Sequence, residues 1–168
     1  ARDSSNFMSW YQLVLTDMEL ENVDSLYKHS SGALRFYPEQ PLFYLFNGTA
    51  LIEMKKYEEA IKVLEKGRYM SADKELSANF DIYIADLYYE LGEKEKMYKQ
   101  YDRVLRNDPE NSYVLNNYAY FLSVDNIRLD EALKMSAITI EKEPNNATYL
   151  DTYAWILFMQ AKYEQAQE

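Results

Sequence analysis

Apolar residues recur along the chain at the i, i+3, i+4, i+7 spacing of helices that bury one face. Leu115, Tyr118, Ala119 and Leu122 show this spacing clearly, and similar sets recur along the chain. No segment alternates apolar and polar residues as a half-buried strand does. The pattern predicts an all-α fold of nine full or nearly full helices and a short tenth, with essentially no strand.

Helical segments end at recurrent prolines, and short helix-turn motifs repeat between them. Pro38, Pro109 and Pro144 each stop a helix, because proline lacks an amide hydrogen and disfavours helical geometry in the residue before it. The motif at 56–60 recurs in similar form at 129–133 and 162–166. Overlaying these signals gives a unit of about 34 residues. We place the units in a single domain, residues 1–168, at 7–40, 41–74, 78–111, 112–146 and, in part, 147–168, with a short insertion at 75–77 and one extra residue around 123–126.

The fourth, seventh, eighth and eleventh places of each unit are predicted to face the core. The first unit departs from this pattern, because Asp17 and Ser30 occupy places expected to be buried. The sequence therefore predicts either wider helix spacing or a different register in that unit.

The period, the order Gly48, Tyr57, Ala60 and the closing prolines resemble the tetratricopeptide repeat (TPR). The resemblance covers essentially residues 7–168. It implies an α-α superhelix, a right-handed solenoid of helix-turn-helix units, whose first helices line a concave groove that binds extended or helical peptides. The segments 116–123 and 149–157 further resemble TPR proteins of bacterial (Bacteroides-type) cell envelopes. That narrower resemblance implies the cell envelope as the location, as a periplasmic protein or a lipoprotein, with the cytoplasm as the alternative.

Charge narrows the range of partners. The chain has 28 acidic and 18 basic residues and a net charge of −10. Such a surface repels nucleic-acid backbones and favours a neutral or basic protein or peptide. An RNA-binding helical repeat of the pentatricopeptide kind, which has units of similar length, is disfavoured for the same reason.

The residues needed for catalysis, metal binding or nucleotide binding are scarce. There is no cysteine, and His29 is the only histidine, which we interpret as structural or solvated. No glycine-rich loop of the kind that binds phosphate is present. We therefore expect neither an enzyme nor a bound cofactor or metal.

The groove implied by the resemblance is lined by the second, fifth, ninth and twelfth places of each unit. Met, Leu and Ile predominate there in the first two units, and aromatic residues with Asp and Asn in the later ones. Aromatic rings beside amide and carboxylate groups suit peptide recognition. No Lys or Arg occupies these places, so a clamp for acidic C-terminal tails is not expected. The candidate peptide-binding residues are Asp86, Tyr89, Asn116, Tyr120, Asp151 and Trp155.

Two alternatives remain open. The aromatic residues could instead pack between neighbouring helices or against a further repeat absent from this chain, and the whole stack could be a spacer or self-association element with no ligand in the groove. The chain stops at Glu168, about half a helix early, which predicts a fragment of a longer protein. Leu150, Tyr153 and Leu157 are then expected to be partly uncovered and to favour self-association at this end. No apolar run reaches the ~18–20 residues that span a bilayer.

Overall fold

The computed structural model describes residues 6–160, and this range contains nine α-helices and no strand. The all-α prediction and the nine helices are thereby confirmed. The predicted tenth helix falls on residues 161–168, outside the described residues. The helices are α1 (Phe7–Glu19), α2 (Val23–Phe36), α3 (Pro41–Glu53), α4 (Tyr57–Met70), α5 (Lys74–Glu90), α6 (Lys94–Asn107), α7 (Ser112–Val124), α8 (Leu129–Lys142) and α9 (Ala147–Met159).

The chain divides into two compact units, Ala1–Gln100 and Tyr101–Glu168, and the division falls within α6. In the first unit, each helix from α1 to α4 packs against the next one along the chain. In the second unit, α7, α8 and α9 all contact one another. The repeat boundaries given above stay a prediction.

Asparagine and aspartate side chains cap five of the described helices. The Asn22 carboxamide oxygen accepts the backbone amide of Ser25 at 3.1 Å, and that of Asn111 accepts the amide of Val114 at 3.1 Å. A capping side chain satisfies an amide that has no partner within the helix. Short polar residues just before the apolar runs therefore set where the helices begin. The five caps are Asn6, Asn22, Asp73, Asn111 and Asn146.

The turns inside the helix pairs share one backbone conformation. Their second residue is left-handed in each case, at Glu21, Lys55, Gly92 and Asn126, with φ of 52°, 57°, 72° and 54°. The amide of the following residue bonds to a carbonyl in the last turn of the preceding helix, which is a Schellman-type ending. The turn at 125–128 has one residue more than those at 20–22, 54–56 and 91–93. This turn includes residues 125 and 126, around which the extra residue of the fourth unit is predicted.

Burial follows the predicted core places in most of the chain. Leu115, Tyr118, Ala119 and Leu122 are all buried, as predicted. Leu13 is exposed, so its assignment to the core is wrong. The reason is that α1 has neighbours on one side only in the described part of the chain.

The last described helix shows a mixed outcome at its predicted uncovered residues. Leu150 is exposed and Tyr153 is half-buried, in keeping with the expectation of a partly uncovered face. Leu157 is fully buried, so its predicted exposure is wrong. It shares the buried side of α9 with Thr152 and Ile156.

The first helix of a pair also buries apolar residues outside the single face that the sequence pattern predicts to be buried. In α3, Phe43, Phe46 and Ala50 join a cluster with residues of α1 and α2. In α5, Phe80 and Leu87 join a cluster with residues of α3 and α4. A helix placed between its own partner and the preceding pair is covered on two sides, so its apolar residues are not confined to one face.

Two polar pairs explain the unusual core of α1 and α2. The His29 Nδ1 atom lies 2.6 Å from Asp17 Oδ2, and Asn47 Nδ2 donates to Ser30 Oγ at 2.9 Å. Asp17 and Ser30 are buried, as their places in the repeat predict. Buried polar groups are tolerated when they are hydrogen-bonded. Hydrogen bonds therefore satisfy the polar residues at the core places of this unit, and the repeat boundaries stay a prediction.

Candidate functional site

Helix α7 presents two tyrosine rings to solvent above a buried face. Asn111 caps the helix, and Val114, Leu115 and Tyr118 point into the core. Tyr113 and Tyr120 are exposed and lie seven residues apart, which places them on one side of the helix, two turns from each other. Tyr120 also contacts Phe121 edge-on, with ring centroids 5.5 Å apart.

Asn116 lies between these tyrosines in sequence but is only 5% exposed. Its Nδ2 atom donates to Asn117 Oδ1 at 3.4 Å. Its own Oδ1 has no hydrogen-bond partner within the described part of the chain. A ligand would reach this amide only if neighbouring side chains moved.

Helix α9 carries two aromatic rings and one carboxylate on its exposed surface. Trp155 and Phe158 are both exposed and stack with ring centroids 5.7 Å apart and planes 25° apart. Asp151 is exposed one helical turn before Trp155. Thr152, Ile156 and Leu157 form the buried side of the same helix. Trp155 therefore lies on a face of α9 that does not pack into the core of the second unit.

The six predicted site residues are divided between the two compact units. Asp86, half-buried, and Tyr89, exposed, lie three residues apart on α5 in the first unit. Asn116 and Tyr120 lie on α7, and Asp151 and Trp155 lie on α9, in the second unit. The structure brings the last four onto two helices that contact each other.

The exposed surface of α7 and α9 is nearly free of charge. The α7 segment contains no charged residue, and Asp151 is the only one in α9. With no basic residue on either helix, nothing there would repel a basic partner. A cationic group that approached would meet one carboxylate among aromatic rings.

A polar network beneath α7 holds this helix against its neighbours in the second unit. The Tyr118 hydroxyl donates to Asp102 Oδ1 at 3.0 Å, and Arg128 Nη1 donates to the Tyr118 oxygen at 3.1 Å. Arg128 Nε also donates to Glu131 Oε2 at 2.7 Å. Burial raises the pKa of Tyr118 to about 12. The sequence reasoning did not find this network, because Arg128 lies in a turn and Asp102 on an earlier helix.

The first unit contains a cavity of about 450 Å³ that the sequence did not indicate. It combines three carboxylates with apolar side chains. One of the three, that of Asp17, already faces His29. The lining residues are Asp17, Met18, Glu21, Asn22, Val23, Leu26, Thr49 and Glu53.

Two absences within residues 6–160 concern metal binding and membrane crossing. Within residues 6–160, no group of three or more histidine or carboxylate side chains is arranged to hold a metal ion. Every helix in the same range is too short or too polar to cross a lipid bilayer.

Comparison with known proteins places this architecture among solved folds. No protein-family model matches the sequence, and no curated protein sequence gives a significant match. YrrB, described as a TPR protein with an unusual peptide-binding site, is 14% identical, with a TM-score of 0.77 over 98% of this chain and 82% of YrrB. A TPR protein from Parabacteroides merdae is 20% identical, with a TM-score of 0.79 over 95% of this chain and 63% of that one.

This chain has the tetratricopeptide-repeat fold. MamA from Desulfovibrio magneticus RS-1 is similar as well, at 11% identity and a TM-score of 0.79 over 98% of this chain and 90% of MamA. At such low identities the likeness concerns the fold alone. The resemblance to a TPR fold is thereby confirmed, while the narrower resemblance to Bacteroides-type envelope proteins stays a prediction. In this TPR fold, α7 and α9 are first helices of predicted units, the ones expected to line a groove.

Proposed function

We propose that this chain is a non-catalytic interaction scaffold that binds a neutral or basic peptide or protein segment on the exposed surface of α7 and α9. The observation that supports this most is the exposure of four aromatic rings on two contacting helices that carry no basic residue. The four rings, each between 41% and 49% exposed, belong to Tyr113, Tyr120, Trp155 and Phe158.

Aromatic side chains suit this role because they offer a large contact area at a low cost in side-chain entropy. Tyrosine and tryptophan are enriched among the residues that dominate binding energy at protein interfaces. We assign Tyr120 and Trp155 as anchors in the second unit, with Asp151 selecting for a basic segment. Asn116 would add an amide contact only once the side chains that cover it move aside. Asp86 and Tyr89 on α5 are proposed as a further contact surface of the same kind in the first unit.

The fold comparison supports the same class of function. YrrB, which has a similar fold, is described as having a peptide-binding site. Low identity means that no residue role is transferred from it. The comparison supports only the expectation that helices arranged in this way offer a surface for peptides.

The test is a peptide-array or pull-down experiment with the wild type beside a Tyr120→Ala/Trp155→Ala double variant. Loss of an anchor typically costs ~2 kcal/mol or more, so each truncation should weaken binding by about thirtyfold. Tyr69→Ala is the matched control, because Tyr69 is a highly exposed ring on α4. Partners that bind the wild type and the double variant equally would show that the surface on α7 and α9 does not carry the function.

Self-association is the second candidate function, and one observation favours it. Leu150 is exposed on α9, and Tyr153 on the same helix is half-buried. Apolar side chains left uncovered in this way favour contact with another molecule. A spacer that only joined copies of itself would use these residues and leave Tyr120 without a ligand.

A further inference from the structure

The stacked rings of α9 and the carboxylate one turn before them form a small composite surface. Trp155 and Phe158 stack at 5.7 Å, and together they present an extended aromatic face to solvent. Asp151 precedes Trp155 by four residues, a spacing that brings Cβ atoms within about 5–6 Å on a helix. A group that lies on the Trp155 ring can therefore also reach the Asp151 carboxylate.

Asp151 is available for a partner of opposite charge. Among the residues that the structure describes, no lysine or arginine forms an ion pair with it. It is also the only charged residue in the sequences of α7 and α9. The one charge that these two helices place beside their aromatic faces is thus a carboxylate, and aromatic faces attract cations through the ring quadrupole.

The geometry distinguishes arginine from lysine. A guanidinium group is planar, so it can stack on an indole ring while its edge donates two hydrogen bonds to a carboxylate. An ammonium group is compact and strongly hydrated, and it offers no plane to stack. A surface with a flat aromatic face and a carboxylate one turn away suits the first group better than the second.

We propose that Asp151, Trp155 and Phe158 form an anchoring site for one arginine side chain of the bound peptide. This inference rests on the proposed function and names the residue type that the α9 part of the surface selects. Trp155 supplies the stacking plane, Phe158 supports it from the side, and Asp151 pairs with the guanidinium edge.

The site can be tested with short peptides, without knowledge of the natural partner. The probe is a capped pentapeptide, acetyl-Gly-Gly-Arg-Gly-Gly-amide, with matched peptides in which lysine or the uncharged isostere citrulline replaces the arginine. The readout is the indole N–H resonance of Trp155 in a two-dimensional NMR titration at low salt. Trp10, the only other tryptophan, stacks on Phe36 and provides an internal reference.

We expect the arginine peptide to shift the Trp155 resonance and leave that of Trp10 unchanged. The lysine peptide should bind several-fold more weakly, and the citrulline peptide more weakly still. Asp151→Asn should weaken binding of the arginine peptide by about fivefold, which is the loss expected for an exposed ion pair of ~1 kcal/mol. Glu141→Gln, which removes an exposed carboxylate of α8, makes the same change in net charge and should have little effect.

Two results would overturn the inference: no movement of the Trp155 resonance, or equal binding of the three peptides. Failure here is distinguishable from failure of the proposed function. If the Tyr120→Ala/Trp155→Ala variant loses its partners while arginine shows no preference, the surface binds peptides without an arginine anchor. If the arginine peptide binds as expected while natural partners bind that variant normally, the anchor exists but does not carry the scaffold function.

Discussion

At the scale of single residues, Tyr118 shows how one buried hydroxyl connects three segments of the second unit. It lies on α7, donates to Asp102 of α6 and accepts from Arg128 in the turn before α8. The guanidinium of Arg128 also lies 5.5 Å from the centre of the Tyr118 ring. Burial disfavours the phenolate, so the folded protein retains this proton at a pH where an unfolded tyrosine has lost it.

This raised pKa predicts a loss of stability in alkali. Tyr118 has a pKa of about 12 when folded and about 10 when unfolded, so its contribution is complete below pH 10 and is lost as the pH rises towards 12. Tyr118→Phe should cost ~1 kcal/mol near neutral pH through the lost hydrogen bonds. The gap in free energy of unfolding between wild type and variant should stay constant up to about pH 10 and narrow as the pH rises from there towards 12, as measured by urea denaturation. A gap that stayed constant over this whole range would contradict the role assigned to burial.

At the scale of secondary-structure elements, the same helix ending is reached with different residues. Gly92 adopts its left-handed conformation without strain, whereas Glu21 and Lys55 carry a Cβ atom that disfavours it. Both kinds of turn nonetheless form the same hydrogen bond. The amide of Lys56 donates to Leu51 O at 2.9 Å, and the amide of Glu93 donates to Tyr88 O at 2.8 Å. Packing of the two helices therefore imposes the turn even where the local sequence disfavours it.

This comparison predicts opposite effects for a pair of substitutions. Lys55→Gly should relieve left-handed strain and stabilise the protein by up to ~1 kcal/mol, and Gly92→Ala should destabilise it by a similar amount. A Cβ atom at Gly92 would meet nothing within 4 Å, so backbone conformation is the only source of the second effect. Thermal unfolding should show a higher midpoint for Lys55→Gly and a lower one for Gly92→Ala. The same direction of change in both would refute this account of the turns.

At the scale of the whole molecule, net charge and uncovered apolar surface act in opposite directions on self-association. A net charge of −10 makes copies of the chain repel one another, while exposed Leu150 favours contact. Salt screens the repulsion and leaves the apolar contact in place.

Self-association through α9 should therefore strengthen with ionic strength. Multi-angle light scattering across a concentration series should show the average mass rising more steeply in 0.5 M salt than in 0.05 M salt. Leu150→Ser should abolish the rise, whereas Val124→Ser, at an exposed apolar residue at the end of α7, should not. A monomeric mass at every concentration and salt level would exclude this second candidate function.

Much of the fold follows from the sequence, because helix periodicity and capping are local properties. The recurring apolar places and the prolines predict nine helices, and capping side chains before five of the described helices set where those helices begin. Net charge likewise predicts a partner that is not polyanionic. These conclusions need no knowledge of which helix packs against which, since each depends on residues within a few turns of one another.

Tertiary packing alone decided which helices bury a second face and which side chains stay exposed to a partner. Phe43 and Phe80 are buried by the preceding helix pair, and Leu13 is exposed because, among the residues that the structure describes, α1 has neighbours on one side only. Asn116 and Trp155 both occupy predicted groove places, yet the first is buried and the second exposed. The Tyr118 network joins residues up to 29 positions apart, from Asp102 to Glu131. Such contacts depend on how helices dock, which the spacing within a single helix does not specify.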